Sequence, residues 1–133
     1  MKTKSIFQIS SFIVVGCTAA LVHLGVVIVL VRFFAWAPLW ANPLAWLIAF
    51  CASFSGHWLL TFRDRRKRLG KSVIRFFTLS TAGFLINQLL YASLLDVSKL
   101  RFDVILALVL MLVAIATYFL SSWWAFADQS ESN

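Results

Sequence analysis

The sequence predicts an all-α membrane protein: four transmembrane helices built as two helical hairpins that repeat in parallel. Three observations carry this. About 82 positions of the 133-residue chain, 62%, are hydrophobic, and four spans of about 20 residues need about 80 apolar positions. Charged residues make up only 13%, against roughly 25% in a soluble domain, and the mean hydropathy is +0.90. The charges also leave long gaps. Ser5–Val31, Phe33–Phe62, Phe76–Leu95 and Val104–Ala127 hold no Asp, Glu, Lys or Arg over 27, 30, 20 and 24 residues. Each run exceeds the roughly 18 residues that mark a spanning helix. A water-soluble globular domain and a disordered tail are excluded, and the chain is too short for a large transporter bundle. A closed β-barrel is the other way to span a membrane, but its strands alternate apolar and polar residues, and Val26-Val27-Ile28-Val29-Leu30-Val31 does not.

The first span is expected over about Ser11–Phe33. Lys2 and Lys4 precede it, and Val14-Val15-Gly16-Cys17 resembles a lipoprotein processing box. The apolar run continues to Val31, well past the point where a signal peptide gives way to a polar mature chain, so a membrane helix is the reading. The second span is expected over Ala41–Phe62. Its Ala41, Ala45, Ala49, Ser53 and His57 recur every fourth residue, a small-residue spacing that lets helix backbones approach closely. The third, Ser72–Leu95, carries Asn87-Gln88. The fourth, Phe102–Phe126, places Ile105, Val109, Val113, Thr117 and Ser121 at the spacing of the second helix's seam. Cys17 and Cys51 fall inside spans and are expected as buried small residues rather than as a disulfide. No Cys/His spacing fits a metal, and no nucleophile or paired carboxylates can be assembled, so neither an enzyme nor a cofactor is expected.

Basic residues set the topology. Lys2, Lys4, Arg63, Arg65, Arg66, Lys67, Arg68, Lys71 and Arg75 lie at one end of the spans, and Arg32, Lys99 and Arg101 at the other. By the positive-inside rule both termini and the middle loop are cytoplasmic. Trp36 and Trp40 then mark the outer interface, and Trp58, Trp123 and Trp124 the inner one. The net charge of +7 is mainly a topology signal, and charges at the headgroup level are not read as a nucleic-acid site.

An internal repeat is the most informative feature. At an offset of 64 residues Phe12 falls on Phe76, Gly16 on Ser80, His23 on Asn87, Ala52 on Ala116, Ser53 on Thr117, Phe54 on Tyr118, His57 on Ser121 and Phe62 on Phe126, with no gap. The expected organisation is one domain over residues 1–133, with repeat one about 11–63 and repeat two about 75–127. Each unit is a hairpin of two spans, so the copies keep the same direction and are related by an axis along the membrane normal.

The pattern Phe12-x3-Gly16-x6-His23, Phe54-x2-His57-x4-Phe62-Arg63, Arg75-Phe76-x3-Ser80-x6-Asn87 and Tyr118-x2-Ser121-x4-Phe126 resembles the GtrA family. The resemblance covers about Phe12 to Phe126 and includes length, duplication and loop charge. It implies a small four-helix protein of the bacterial inner membrane, linked to cell-surface polysaccharide synthesis. It further implies transport of a polyprenyl-phosphate-linked sugar from the cytoplasmic to the outer leaflet, or else service as an adaptor for a glycosyltransferase.

For such a substrate, a cationic landing site and a polar track are the physical requirements, because phosphate and hydroxyl groups lose hydration in the apolar layer. The candidate residues are Arg63, Arg66 and Arg75 for the phosphate, through bidentate contacts, and His57, His23, Asn87 and Ser121 along the track. The plainer reading of the basic cluster is orientation and attraction to anionic lipid headgroups. For His23 and Asn87 it is an interhelical hydrogen bond worth about 0.6–2 kcal/mol. His23 lies 11 residues after Phe12, about 16 Å along a helix, and so near mid-membrane. The expected partners are membrane lipids, the polyprenyl-phosphate sugar, and a second copy or a glycosyltransferase, because four helices enclose little volume. A small multidrug exporter is disfavoured: Asp64, Asp96, Asp103, Asp128 and Glu131 all lie at span ends or in loops. Asp96 and Asp103 are expected to pair with Lys99 and Arg101.

Overall fold

A computed structural model of the chain describes residues 2–56 and 69–127. These form four helices: α1 (Lys2–Phe34), α2 (Pro38–Gly56), α3 (Leu69–Val97) and α4 (Phe102–Ala127). Ile13–Phe34, Pro38–Gly56 and Phe77–Val97 are each long and apolar enough to cross a membrane, and the apolar stretch Phe102–Thr117 of α4 is shorter. At 26 residues, the whole of α4 runs about 39 Å, beyond a hydrocarbon core of about 30 Å. Trp123 and Trp124 fall on α4, but their side chains lie outside the description, and Trp58 lies outside the described residues.

The second helix starts earlier than its apolar pattern implies. Pro38 occupies its first position, where a missing N–H is harmless and the fixed φ is already helical, and the Ala37 carbonyl accepts from the amides of Trp40 and Ala41 at 3.0 Å each. This turn begins at Ala35, whose φ of 55° is left-handed, and the Trp36 N–H closes back on the Leu30 carbonyl at 3.1 Å. The α3–α4 turn is closed by Ser98 N–H to the Leu94 carbonyl at 3.0 Å and by Leu100 N–H to Ser98 Oγ at 3.0 Å. Asp103 then stands in the first turn of α4, where a negative charge suits the helix dipole.

The helices pack in a ring: α1 on α2, α2 on α3, α3 on α4 and α4 on α1. Along α2 from Leu39 to Phe50 the partners on α3 run backward from Gln88 to Phe77, so these two helices are antiparallel. With α1 folded back on α2 through a short turn, α1 and α3 point the same way and the two hairpins share one direction. Most buried positions keep the 64-residue offset: Val27 and Tyr91, Ala41 and Ile105, Ala45 and Val109, His23 and Asn87, Asn42 and Leu106 are all buried, whereas buried Val15 falls on exposed Leu79.

Packing is uneven along the bundle axis. The core comprises Val27, Ala41, Ala45, Tyr91, Ile105, Leu106 and Val109, all in the half that carries the two short turns. Ala41, Ala45 and Ala49 form the expected seam, and Ser53 is half-buried. α1 and α2 stay in contact further down, where a Cβ on Gly56 would come within 3.0 Å of Val15 Cγ1. In contrast, α4 exposes Ala114, Ile115, Ala116 and Thr117 in succession, a full helical turn with no buried side chain. Cys17 and Cys51 are free, as expected, but exposed rather than buried. Cys51 lies two residues beyond Ala49 and so on the opposite side of α2 from the seam.

The left-handed Ala35 yields a direct test. Glycine adopts this conformation without the penalty of about 1–2 kcal/mol that a Cβ brings. Ala35→Gly is therefore expected to raise the thermal unfolding midpoint in detergent by a few degrees, and Ala35→Val to lower it.

Candidate functional site

Four side chains from three helices meet inside the bundle. His23 of α1 contacts Asn42 of α2, with Nε2 and Oδ1 2.6 Å apart. Asn42 Nδ2 donates to Asn87 Oδ1 at 2.9 Å and to Gln88 Oε1 at 2.7 Å, both on α3. Gln88 Nε2 donates to the Leu39 carbonyl at 3.0 Å. His23, Asn42 and Asn87 are 5%, 0% and 3% exposed. His23 and Asn87 sit at the middle of the spans Ile13–Phe34 and Phe77–Val97.

The origin of this network is covalent. Pro43 lies inside α2 and has no N–H, so the carbonyl of Leu39, four residues earlier, has no helical donor. A backbone carbonyl left without a partner is costly, and Gln88 supplies the missing hydrogen bond. A carbonyl only accepts, which fixes every amide in turn. Gln88 must turn its nitrogen to Leu39 and its oxygen to Asn42. Asn42 must then present its nitrogen to Gln88 and Asn87 and its oxygen to His23, so Nε2 of His23 carries a proton and donates.

Asn87 ends the chain. Its oxygen accepts from Asn42, while its Nδ2 is buried with no hydrogen-bond partner among the described residues. Turning the amide over would set its nitrogen against the nitrogen of Asn42, donor to donor. A buried donor left so costs about 1–3 kcal/mol, and such orphans are rare in native proteins.

The two inter-hairpin seams differ. Between α2 and α3, Trp46 stacks on Phe84 with ring centres 4.7 Å apart, Phe50 meets Phe77 edge-on at 5.4 Å, and Trp46 Nε1 donates to Ser80 Oγ at 3.1 Å. On the α4–α1 side, positions 64 residues away from these hold Leu110, Ala114, Ile13, Gly16 and Ala20. Of them Ala114, Ile13 and Gly16 are exposed. One seam is closed by rings, and its counterpart is lined by small and aliphatic groups.

At the turn end, Asp103 Oδ2 binds Arg32 of α1 at 2.9 Å and Arg101 at 2.7 Å. The expected pairing of Asp103 with Arg101 is present, with Arg32 added. Asp96 and Lys99 form no ion pair among the described residues. The hydrogen bonds from Arg101 and from the Val104 N–H hold the Asp103 carboxylate in one orientation.

Of the residues singled out in the sequence, the structure joins His23 and Asn87 through Asn42. His57, Arg63 and Arg66 lie outside the described residues. Arg75 and Ser121 lie on α3 and α4, but their side chains are outside the description. Asn42 was not anticipated. A helix beginning at Ala41 puts it at a membrane interface, where an asparagine is ordinary, and the 64-residue offset matches it to Leu106. Pro38 read as a first helical residue would have moved Asn42 into the span. Among the described residues no cluster of His, Cys, Asp and Glu could hold a metal.

Fold and site together define a small helical membrane protein with a hydrogen-bonding centre at mid-span. The sequence matches the GtrA/DPMS transmembrane domain over residues 11–126, and the chain belongs to that family. Searches among curated proteins and among solved structures each found no match. Membership gives the chain a role related to polyprenyl-phosphate sugars in polysaccharide synthesis, in a family that is generally non-catalytic.

The link between Pro43 and Gln88 is measurable. Gln88→Ala is expected to destabilise the native protein by about 1–2 kcal/mol. In a Pro43→Ala background α2 supplies its own N–H to Leu39, and the same substitution should cost less than half as much. Equal losses in both backgrounds, read from denaturation in detergent, would show that the two residues are independent.

Proposed function

We propose that this protein translocates a polyprenyl-phosphate-linked sugar across the bacterial inner membrane, for glycosylation of a cell-surface polysaccharide. The buried polar centre at mid-span carries the reading. A lipid-linked sugar phosphate keeps its tail in hydrocarbon without help; its barrier is the loss of hydration by phosphate and hydroxyls. Hydrogen-bonding groups held inside a bundle at that depth lower this barrier, and polar residues inside membranes mark pathways.

The packing supports loading from one end. The core lies in the turn half, and beyond it α4 is exposed from Ala114 to Thr117. The seam between α4 and α1, with its exposed Gly16 and Ala114, lets a tail remain in lipid while its headgroup reaches inward. With both termini in the cytoplasm by the positive-inside rule, the half bearing the termini faces the inner leaflet. Arg63, Arg66 and Arg75 then receive the phosphate, and His57, Ser121, His23 and Asn87 form the track. A bundle of four helices encloses little volume, so a second copy or a glycosyltransferase completes the assembly.

A leaflet-resolved assay in proteoliposomes tests this, using labelled polyprenyl-phosphate sugars with and without a pH gradient. The protein is expected to accelerate transfer of at least one such lipid. Replacing Arg63, Arg66 and Arg75 together by Gln is expected to slow it about tenfold or more, through lost hydrogen bonds to a charged group. No acceleration of any such lipid overturns the translocation reading. Glycosyltransferase capture that persists without transfer would instead identify an adaptor.

A further inference from the structure

The unpartnered amide nitrogen of Asn87 points to the chemistry of what binds here. We infer that Asn87 Nδ2 donates to an acceptor oxygen of the transported headgroup, a phosphate oxygen or a sugar oxygen, and that Asn42 holds it in that role. The inference rests on the translocation reading and names the contact at its centre.

Each step follows from the network. The Leu39 carbonyl takes the Gln88 nitrogen. Asn42 Nδ2 has two hydrogens, and they go to Gln88 Oε1 and Asn87 Oδ1. Asn87 therefore turns oxygen toward Asn42 and is left with a donor that has no acceptor among the described residues. Rotation of the amide is blocked, because it would bring two donors together. A group that presents lone pairs satisfies the site, and one that presents only a donor does not. Phosphate oxygens and sugar oxygens both qualify. An amine or ammonium headgroup does not.

Position agrees with this role. Asn87 lies 10 residues from either end of Phe77–Val97, about 15 Å along the helix. Beyond it toward the termini, α4 exposes Ala114 through Thr117. Leu106 stands 64 residues from Asn42 and is equally buried. The second hairpin thus has no counterpart of the residue that orients Asn87, and the site is single rather than doubled.

The test is lipid binding to purified full-length protein in nanodiscs, measured for polyprenyl phosphate alone and for polyprenyl phosphate carrying a sugar. Asn87→Ala removes the donor. Asn87→Met fills the same space with a weak acceptor and no donor, and serves if the alanine variant does not fold. Weakening of both lipids by about tenfold or more is expected if the acceptor is a charged phosphate oxygen, and weakening of the sugar-bearing lipid alone by about three- to tenfold if it is a neutral sugar oxygen. Either result supports the inference and tells the two sources apart. Unchanged affinity for both lipids in the folded variants overturns it, leaving a resident water as the partner of the amide. Failure of the unaltered protein to bind either lipid overturns the translocation reading itself, and this contact with it.

Discussion

One missing hydrogen organises the centre of this protein. Pro43 removes a donor from α2, and the Leu39 carbonyl four residues earlier is left without its helical partner. The remedy comes from Gln88 on a neighbouring helix, which ties α2 to α3 at that level. Because a carbonyl cannot donate, the direction of every later hydrogen bond follows, through Asn42 to His23 on one side and to Asn87 on the other. A backbone defect in one helix thereby sets the polarity of a three-helix network and leaves its one spare donor at mid-span.

The packing around this network divides the bundle. Toward the two turns, Val27, Tyr91, Ile105, Leu106 and Val109 bury one another, and Asp103 fastens α1 to α4 through Arg32. Toward the termini, the Trp46, Phe50, Phe77 and Phe84 rings hold α2 to α3, and the close approach of Gly56 to Val15 holds α1 to α2. The two hairpins differ at positions that matter to the network: Asn42 stands against Leu106, and the rings of the α2–α3 seam stand against small and aliphatic residues.

Most of the scaffold can be read from the sequence by simple physics. Charge-free runs longer than a bilayer core mark the helices, and the every-fourth alanines of α2 mark a seam whose Ala41, Ala45 and Ala49 are indeed buried. The offset of 64 residues paired His23 with Asn87 before any geometry, and the structure brings both to one residue. That residue escaped notice because its significance is not in its own type. Asn42 matters because Pro38 extends the helix behind it and Pro43 opens a carbonyl beside it, and hydropathy sees neither effect. The cysteines erred for a related reason. Location within a span does not say which side of the helix a residue takes, and Cys51 lies on the side of α2 away from the alanine seam.

The most direct measurement of the central claim is nitrogen-15 NMR of protein labelled selectively at histidine, in a chain with two histidines. If the network runs as described, one histidine is protonated at Nε2 in a hydrogen bond, and its Nε2 resonance moves when Asn42 is replaced by Leu while the other histidine is undisturbed. A His23 protonated only at Nδ1, or one indifferent to that replacement, contradicts the account.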